Sequence, residues 1–283
     1  MLTALAPVAL ILAIVATMVI VKVTSGPSAP TGVAAASALP GGKGAAASSD
    51  PGTSTLAPGV EASLDVPAAT LDRVGKSASV VAPSATGDTG PILKDADGKP
   101  VVTYIGAEYC PYCAAERWSI AVALSRFGSF SNLSATHSAA NDVYPDTQTL
   151  SFYGSQYSSA YLDFQPVEEA TNQAVNGSYA TLQEPTAAQS NLLARFDQQG
   201  SIPFLDIANK YVVVGASFSP QVLAGLTQAQ IAQQLGDPSS PVAQAIDGAA
   251  NEITAAIVRV TGQQPSSVAS SSAIASIATS LGS

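Results

Sequence analysis

The chain has 283 residues and a formal net charge of −9 at pH 7, and only 11% of its residues are charged. A chain of this length accommodates one or two domains. Because the charge is acidic and no basic cluster is present, the sequence argues against nucleic acid or anionic lipid as a partner.

The first 23 residues are predicted to form a membrane anchor. The apolar run at 2–23 is interrupted only by Thr3, Pro7, Thr17 and Lys22. At 1.5 Å per residue it is long enough to cross the ~30 Å hydrocarbon core of a bilayer. A cleaved signal peptide is the alternative, because Ala-rich sequence follows at 33–38. The apolar run is, however, longer than the ~7–15-residue core of such signals.

Three further segments follow this anchor. Residues 24–59 are rich in Gly, Ala, Ser and Pro, so we expect a disordered tether that buries too little apolar surface to offset chain entropy. Residues 60–262 are predicted to form the folded domain. The Ser/Ala-rich tail at 263–283 is expected to be a loose or frayed helix.

Within the domain, hydrophobic periodicity and turn residues predict alternating strands and helices. In chain order these are a lead-in at 64–75, a hairpin at 91–102, a buried strand at 101–106, a helix at 114–127, an aromatic-rich segment at 130–175, a helix at 186–199, a hairpin of strands 204–207 and 211–214, a helix from 227 to about 236 and a long helix from 241 to 260. For the aromatic-rich segment, core packing and a peptide-binding face both remain open.

The only two cysteines stand in Cys110-Pro111-Tyr112-Cys113, between the buried strand and the following helix. A dithiol catalyst needs an attacking thiolate and a second thiol within reach, and this spacing supplies both. We expect Cys110 at the exposed helix N-terminus, where unpaired amides and the helix dipole favour its thiolate. Pro111 suits the first helical position. The motif therefore predicts thiol–disulfide exchange, with no cofactor beyond the redox-active disulfide.

The sequence disfavours two other roles for the cysteines and leaves two open. A haem-attachment motif would need His where Ala114 stands, and one histidine, His137, leaves too few ligands for a closed zinc site. A purely structural disulfide and a soft-metal site, such as Cu(I) on two thiolates, remain open. Nearby charges would tune the pair: Glu108 and Glu116 against the thiolate, Arg117 in its favour.

The run from Tyr104 to Trp118 resembles the signature of the thioredoxin-like family catalogued as domain of unknown function 929. The similarity continues through Val74-Gly75, residues 149–169 and Ile202-Pro203-Phe204, and covers roughly residues 60 to 262. It implies an α/β, thioredoxin-like fold with an insertion between the helix after the motif and the proline strand. It also implies a redox-active cysteine pair and a cis Ile202-Pro203 bond. A trans proline opening an edge strand is the alternative.

We therefore predict a membrane-tethered thiol–disulfide oxidoreductase in which Cys110 is the nucleophile and Cys113 the resolving thiol. Ile202, Pro203 and Tyr112 are the candidate substrate-binding residues. The expected partners are cysteine-containing proteins and, for an oxidant, a quinone-linked membrane partner. No Lys or Arg precedes the apolar run, whereas Lys22, Lys43, Arg73 and Lys76 follow it, so the positive-inside rule argues weakly against export of the domain. An oxidising exterior nevertheless suits such a catalyst, so we expect a single-pass protein of the cell membrane with its domain on the extracytoplasmic side. A non-catalytic binding or copper-delivery module is the alternative.

Overall fold

The computed structural model describes residues 52–281. The predicted anchor at 1–23 and most of the predicted tether at 24–59 lie outside these residues. Across residues 52–281, no helix combines the length and the apolar character needed to cross a membrane.

The described residues form a mixed α/β structure. The strands are β1 (Ser54–Thr55), β2 (Ser84–Ala85), β3 (Val101–Gly106), β4 (Gly128–Ser131), β5 (Ser134–His137), β6 (Gln148–Ser151), β7 (Gln156–Ser159), β8 (Asp163–Glu168), β9 (Ala170–Val175), β10 (Ser178–Thr181), β11 (Phe204–Ile207) and β12 (Tyr211–Val214). The α-helices are α1 (Val60–Ser63), α2 (Ala68–Val74), α3 (Pro111–Ser125), α4 (Ala187–Phe196), α5 (Gln228–Leu235), α6 (Pro241–Val260), α7 (Ser266–Ala269) and α8 (Ser272–Ser280), and a 3-10 helix lies at Pro220–Leu223.

A five-stranded sheet of order β2-β12-β11-β3-β8 carries the site. β3 pairs in parallel with β8 and antiparallel with β11, which forms the predicted hairpin with β12. All six residues of β3 are buried. A β-branched and aromatic strand with both faces covered is the arrangement expected for a parallel pair inside an α/β unit.

Helices cover both faces of this sheet. Tyr104 of β3 and Leu205 of β11 belong to the main core with α3 and α6, whereas Ile105 and Phe204 pack with Leu192 of α4. Successive strand side chains point to opposite faces, so adjacent residues enter different clusters. The apolar repeat of α6 begins at Pro241, and the Ser240 hydroxyl accepts hydrogen bonds from the first free amides of this helix.

The segment between α3 and α4 builds three smaller sheets. β4 pairs with β7, β5 pairs with β1 and β6, and β9 pairs with β10 around a two-residue turn. Asn176 and Gly177 form this turn with φ of 53° and 82°, which is the left-handed geometry of a tight hairpin. Most rings of the predicted aromatic segment pack together: Phe152 and Phe164 are buried in the main core, and the half-buried Phe130 and Tyr157 pack against them.

The predicted fold class is wrong. We predicted a single thioredoxin-like fold with an insertion, preceded by one transmembrane helix and a flexible linker. The strands of residues 52–281 instead divide among four sheets, and none of their helices could cross a membrane. The physical reason is that most strands between α3 and α4 pair with one another or with β1, and only β8 joins the central sheet.

Both ends of the described part are more ordered than predicted. Ser54 and Thr55 pair with β5, although they fall within the predicted tether. At the other end, Ile274 and Ile277 of α8 are buried in the main core, where we expected a loose or frayed tail. The folded unit therefore extends beyond the predicted boundaries of 60 and 262 at both ends.

Candidate functional site

Cys110 lies between the end of β3 and the start of α3. It is the N-cap residue of α3, and its Sγ accepts a hydrogen bond from the Cys113 N–H at 3.2 Å. Pro111 takes the first helical position, as predicted. Both cysteines are free thiols, with 6% of Cys110 and 0% of Cys113 exposed. The helix N-terminus that we expected to be exposed is therefore nearly covered.

The two thiols differ in acidity. A hydrogen bond from the Cys113 thiol lowers the pKa of Cys110 although burial opposes this shift, and the Cys113 N–H and the Arg117 charge act in the same direction. Burial raises the pKa of Cys113 well above its usual value, and the neighbouring Cys110 adds to this shift. Of the two thiols, Cys110 is therefore the one that loses its proton more readily, and Cys113 is the one that stays protonated.

The segment that precedes β11 lies beside the Cys110 thiol. The Ile202–Pro203 bond is cis, as predicted, and the Ile202 carbonyl oxygen is 3.9 Å from the Cys110 Sγ. The Ile202 N–H donates no hydrogen bond to any other residue of the described range 52–281. A half-buried backbone group of this kind is available to an extended chain lying beside Cys110.

A buried ion pair lies behind the cysteines. The Nε and Nη2 atoms of Arg117 donate to the two carboxylate oxygens of Glu168, each at 2.7 Å, and both side chains are fully buried. Nη2 also donates to the Ala107 carbonyl at 2.7 Å, the same carbonyl that accepts from the Cys110 N–H at 3.2 Å. Arg117 therefore favours the Cys110 thiolate, as predicted, but Glu168 offsets much of its charge.

The two carboxyls considered from sequence have different surroundings. Burial raises the pKa of Glu108 to about 7, against the lowering effect of Arg117, and the Ser151 hydroxyl donates to its Oε1. Glu116 accepts from the Ser217 N–H at 2.7 Å and from the Ser217 hydroxyl at 2.9 Å. Glu108 thus belongs to the charged cluster behind the cysteines. Glu116 instead links α3 by hydrogen bonds to Ser217, in the chain after β12.

Four tyrosines flank the motif. Tyr112 is 41% exposed, and its ring lies edge-on to Tyr144 at 5.8 Å. Tyr109 stacks on Tyr179 of β10 with ring centroids 4.3 Å apart, and the Tyr179 hydroxyl donates to the Asn141 Oδ1 at 3.2 Å. These contacts bring two parts of the α3–α4 segment to the rim of the site, where sequence reasoning had placed only Tyr112.

The structure thus brings together Cys110, Cys113, Ile202 and Pro203, with Tyr112 at the edge. Sequence reasoning missed Glu168, Tyr144 and Tyr179. A carboxylate at the end of the predicted aromatic-rich stretch is a signal that could have identified Glu168, but its partner depends on the β3–β8 pairing. Within residues 52–281, no group of three or more His, Cys, Asp or Glu side chains is arranged to hold a metal ion.

Comparison with known proteins gives a family but no function. No curated protein and no solved structure matches the chain. A family model described as a domain of unknown function, DUF929, matches residues 94–259, a range that holds both cysteines and the cis proline. This match covers more than half of the sequence, and the chain belongs to the DUF929 family.

Proposed function

We propose that the protein is a thiol–disulfide oxidoreductase that acts on cysteines of other proteins. The observation that carries the proposal is the asymmetry of the CxxC pair. Cys110 is the N-cap of α3 with a lowered thiol pKa, and Cys113 is a fully buried thiol with a raised pKa. A nucleophile and a resolving thiol require this division of acidity, whereas a purely structural disulfide has no need of it.

The reaction transfers two electrons. In the reductive direction, the Cys110 thiolate attacks one sulfur of a substrate disulfide, an S–S bond forms to Cys110, and the other substrate sulfur leaves as a thiolate. Cys113 then loses its proton and attacks the Cys110 sulfur, which forms the Cys110–Cys113 disulfide and releases the second substrate thiolate. The oxidative direction is the reverse of these two steps.

Substrate binding is assigned to Ile202, Pro203 and Tyr112. The Ile202 carbonyl and N–H are the backbone groups beside Cys110 that an extended chain would pair with. Tyr112 offers an exposed ring one helical position after Pro111. An extended, cysteine-bearing protein segment fits this arrangement better than a compact small molecule does.

The protein also needs a partner that restores its active redox state, and the identity of that partner depends on the direction of electron flow. An oxidant needs a reoxidant for its Cys110–Cys113 dithiol, and a quinone-linked membrane protein supplies that chemistry. Mixed disulfides between the Cys113→Ser variant and membrane proteins test this partner, and their absence counts against it. The extracytoplasmic location stays a prediction, because its evidence is the leader outside the described residues.

Trapping with matched cysteine variants tests the proposed function. In Cys113→Ser the resolving thiol is missing, so mixed disulfides through Cys110 should accumulate and disappear on reduction. Cys110→Ser is the matched control, and it should form none. If Cys113→Ser keeps the same noncovalent partners as the native chain and traps nothing, the protein is a binding module and the catalytic proposal fails. Cu(I) binding by the native chain under the same conditions would favour metal delivery.

A further inference from the structure

The stretch between Arg126 and Arg195, which spans most of the α3–α4 segment, is acidic. No Lys or Arg occurs between Arg126 and Arg195. The acidic residues of this segment are Asp142, Asp146, Asp163, Glu168, Glu169 and Glu184. Glu168 is neutralised by Arg117, and over residues 52–281 the other five form no ion pair with Lys or Arg.

Two parts of this segment are fixed beside Cys110. The loop at 138–147 is held by the hydrogen bond from the Ala139 N–H to the Tyr109 carbonyl at 2.9 Å. This loop places Tyr144 against Tyr112, and Asp142 precedes Tyr144 by two residues. The β9–β10 hairpin is held by the Tyr109–Tyr179 stack. At its base the Glu169 N–H donates to the Gly106 carbonyl at 2.7 Å.

We refer to Tyr112, Tyr144, Asp142 and Glu169 as the acidic rim. All four side chains are exposed or half-buried, and Val143 beside them is 70% exposed. The other ionisable side chains near the site are an ion pair, a buried carboxyl and a carboxylate next to a histidine. Arg117 and Glu168 form a closed pair, Glu108 is fully buried, and the His137 Nδ1 lies 3.4 Å from the Asp146 Oδ1. The rim therefore combines two carboxylates that have no Lys or Arg partner within residues 52–281 with two tyrosine rings that contact each other. The Asp142 Oδ1 accepts a hydrogen bond from the Val143 N–H at 2.6 Å.

We propose that the acidic rim selects extended substrate segments that carry Lys or Arg beside the reacting cysteine. This inference rests on the proposed function and specifies the substrate class of the same site. Aromatic faces and carboxylates both attract cationic side chains. Acidic substrate segments are repelled by the carboxylates of the rim and are therefore disfavoured. The net charge of −9 also attracts cationic segments from a distance, so their rate of association should fall as the salt concentration rises.

Two contacts determine the expected difference in rate between Lys-bearing and Glu-bearing segments. An exposed ion pair and an exposed cation–π contact each change a rate by about two- to fivefold. A segment with Lys beside its cysteine is therefore expected to react about tenfold faster than the same segment with Glu. Because the contacts are exposed, most of the difference should disappear at high ionic strength.

Competing peptide disulfides test the inference with the full-length chain. Three symmetrical disulfide-linked peptides differ only in the residues flanking the cysteine, which are Lys, Gln or Glu. Oxidation of the reduced protein is followed by quenching with an alkylating reagent and mass measurement. Each rate is divided by the rate of the same peptide with dithiothreitol, an uncharged dithiol that corrects for the peptide's own reactivity.

The expected order is Lys above Gln above Glu, with a Lys-to-Glu ratio of about tenfold at low salt. Asp142→Asn and Glu169→Gln should each reduce the ratio, while Asp97→Asn, an exposed carboxylate in the turn before the start of β3, should leave it unchanged. Tyr144→Phe should keep the ratio and Tyr144→Ala should lower it, because a cation–π contact needs the ring and not the hydroxyl.

The outcomes separate the inference from the proposed function. Equal corrected rates for the three peptides would refute selection by the acidic rim without contradicting the proposed oxidoreductase function. The same conclusion follows if the ratio is unchanged in both carboxylate variants. If Cys110 reacts with none of the peptides, the proposed function fails and the inference fails with it.

Discussion

The buried Arg117–Glu168 pair gives the most specific prediction. Glu168→Gln removes the carboxylate charge but keeps the size of the side chain, so the Arg117 charge is no longer offset. The Arg117 Nη2 and the Cys110 N–H both donate to the Ala107 carbonyl, at 2.7 Å and 3.2 Å, so the ion pair lies on the order of 10 Å or less from the Cys110 Sγ. At an effective dielectric constant of about 20, a unit charge at that distance stabilises a thiolate by about 1.7 kcal/mol.

This energy corresponds to a fall of about one unit in the pKa of Cys110. At a pH above the Cys110 pKa the reduced form gains this stabilisation in full, so the thiol–disulfide equilibrium there should shift toward the dithiol by about tenfold, and the variant should be a stronger oxidant. The pH dependence of Cys110 alkylation, resolved from Cys113 by peptide mass, measures the pKa. Equilibration against glutathione measures the equilibrium shift.

Two further variants isolate the charge effect. Glu116→Gln removes a buried carboxyl from the same helix, but Ser217 is its partner, so the pKa of Cys110 should not change. Glu168→Gln leaves a buried cation unpaired, which costs about 3–5 kcal/mol of stability. The double variant Arg117→Met/Glu168→Met carries neither charge and should return the Cys110 pKa close to that of the native chain. A folded Glu168→Gln protein with an unchanged Cys110 pKa would refute this reasoning.

Three more predictions concern other parts of the molecule. Burial raises the pKa of Asp247 from its usual 3.8 to about 8, so the folded state holds a proton that the unfolded state loses, and stability should fall as pH rises from about 4 to 8. Asp247→Asn should flatten this dependence in denaturant titrations at several pH values, and an unchanged slope would contradict the assignment. Tyr179→Ala removes the stack on Tyr109, so it should cost about 0.5–1.5 kcal/mol and speed alkylation of Cys110; unchanged alkylation would mean that the hairpin does not cover the thiol. Asp72→Ala removes the acceptor for the Ser271 hydroxyl and the Ala273 N–H at the start of α8, so it should cost about 1 kcal/mol and expose the C-terminal region to limited proteolysis. Cleavage at the native rate would show that α8 does not depend on this cap.

Local patterns predicted the elements that hold the cysteine pair. The β-branched run at 101–106 is β3, and Pro111 at the first helical position is confirmed. The helix predicted from 227 is α5, which begins with a capping box at Thr227. The apolar repeat after Pro241 is α6. Each of these signals depends on residues close together in the chain, where side-chain spacing and capping chemistry act directly.

Features that depend on long-range pairing were not predictable in this way. The partner of Arg117 is 51 residues away and is fixed by the parallel β3–β8 register. Cys110 is nearly covered, and the loop at 138–147 and the β9–β10 hairpin both contact the preceding residue, Tyr109. The division into four sheets likewise follows from pairings within the α3–α4 segment. No local periodicity distinguishes a strand that joins the central sheet from one that pairs with its neighbour.

The reduction potential of the Cys110–Cys113 couple tests the central claim most directly. The full-length chain is equilibrated against glutathione mixtures, and the oxidised fraction is read by alkylation and mass. A redox catalyst should give a potential between about −120 and −270 mV, the range from strong oxidants to reductants. A value below about −300 mV is typical of structural disulfides and would contradict the proposed function.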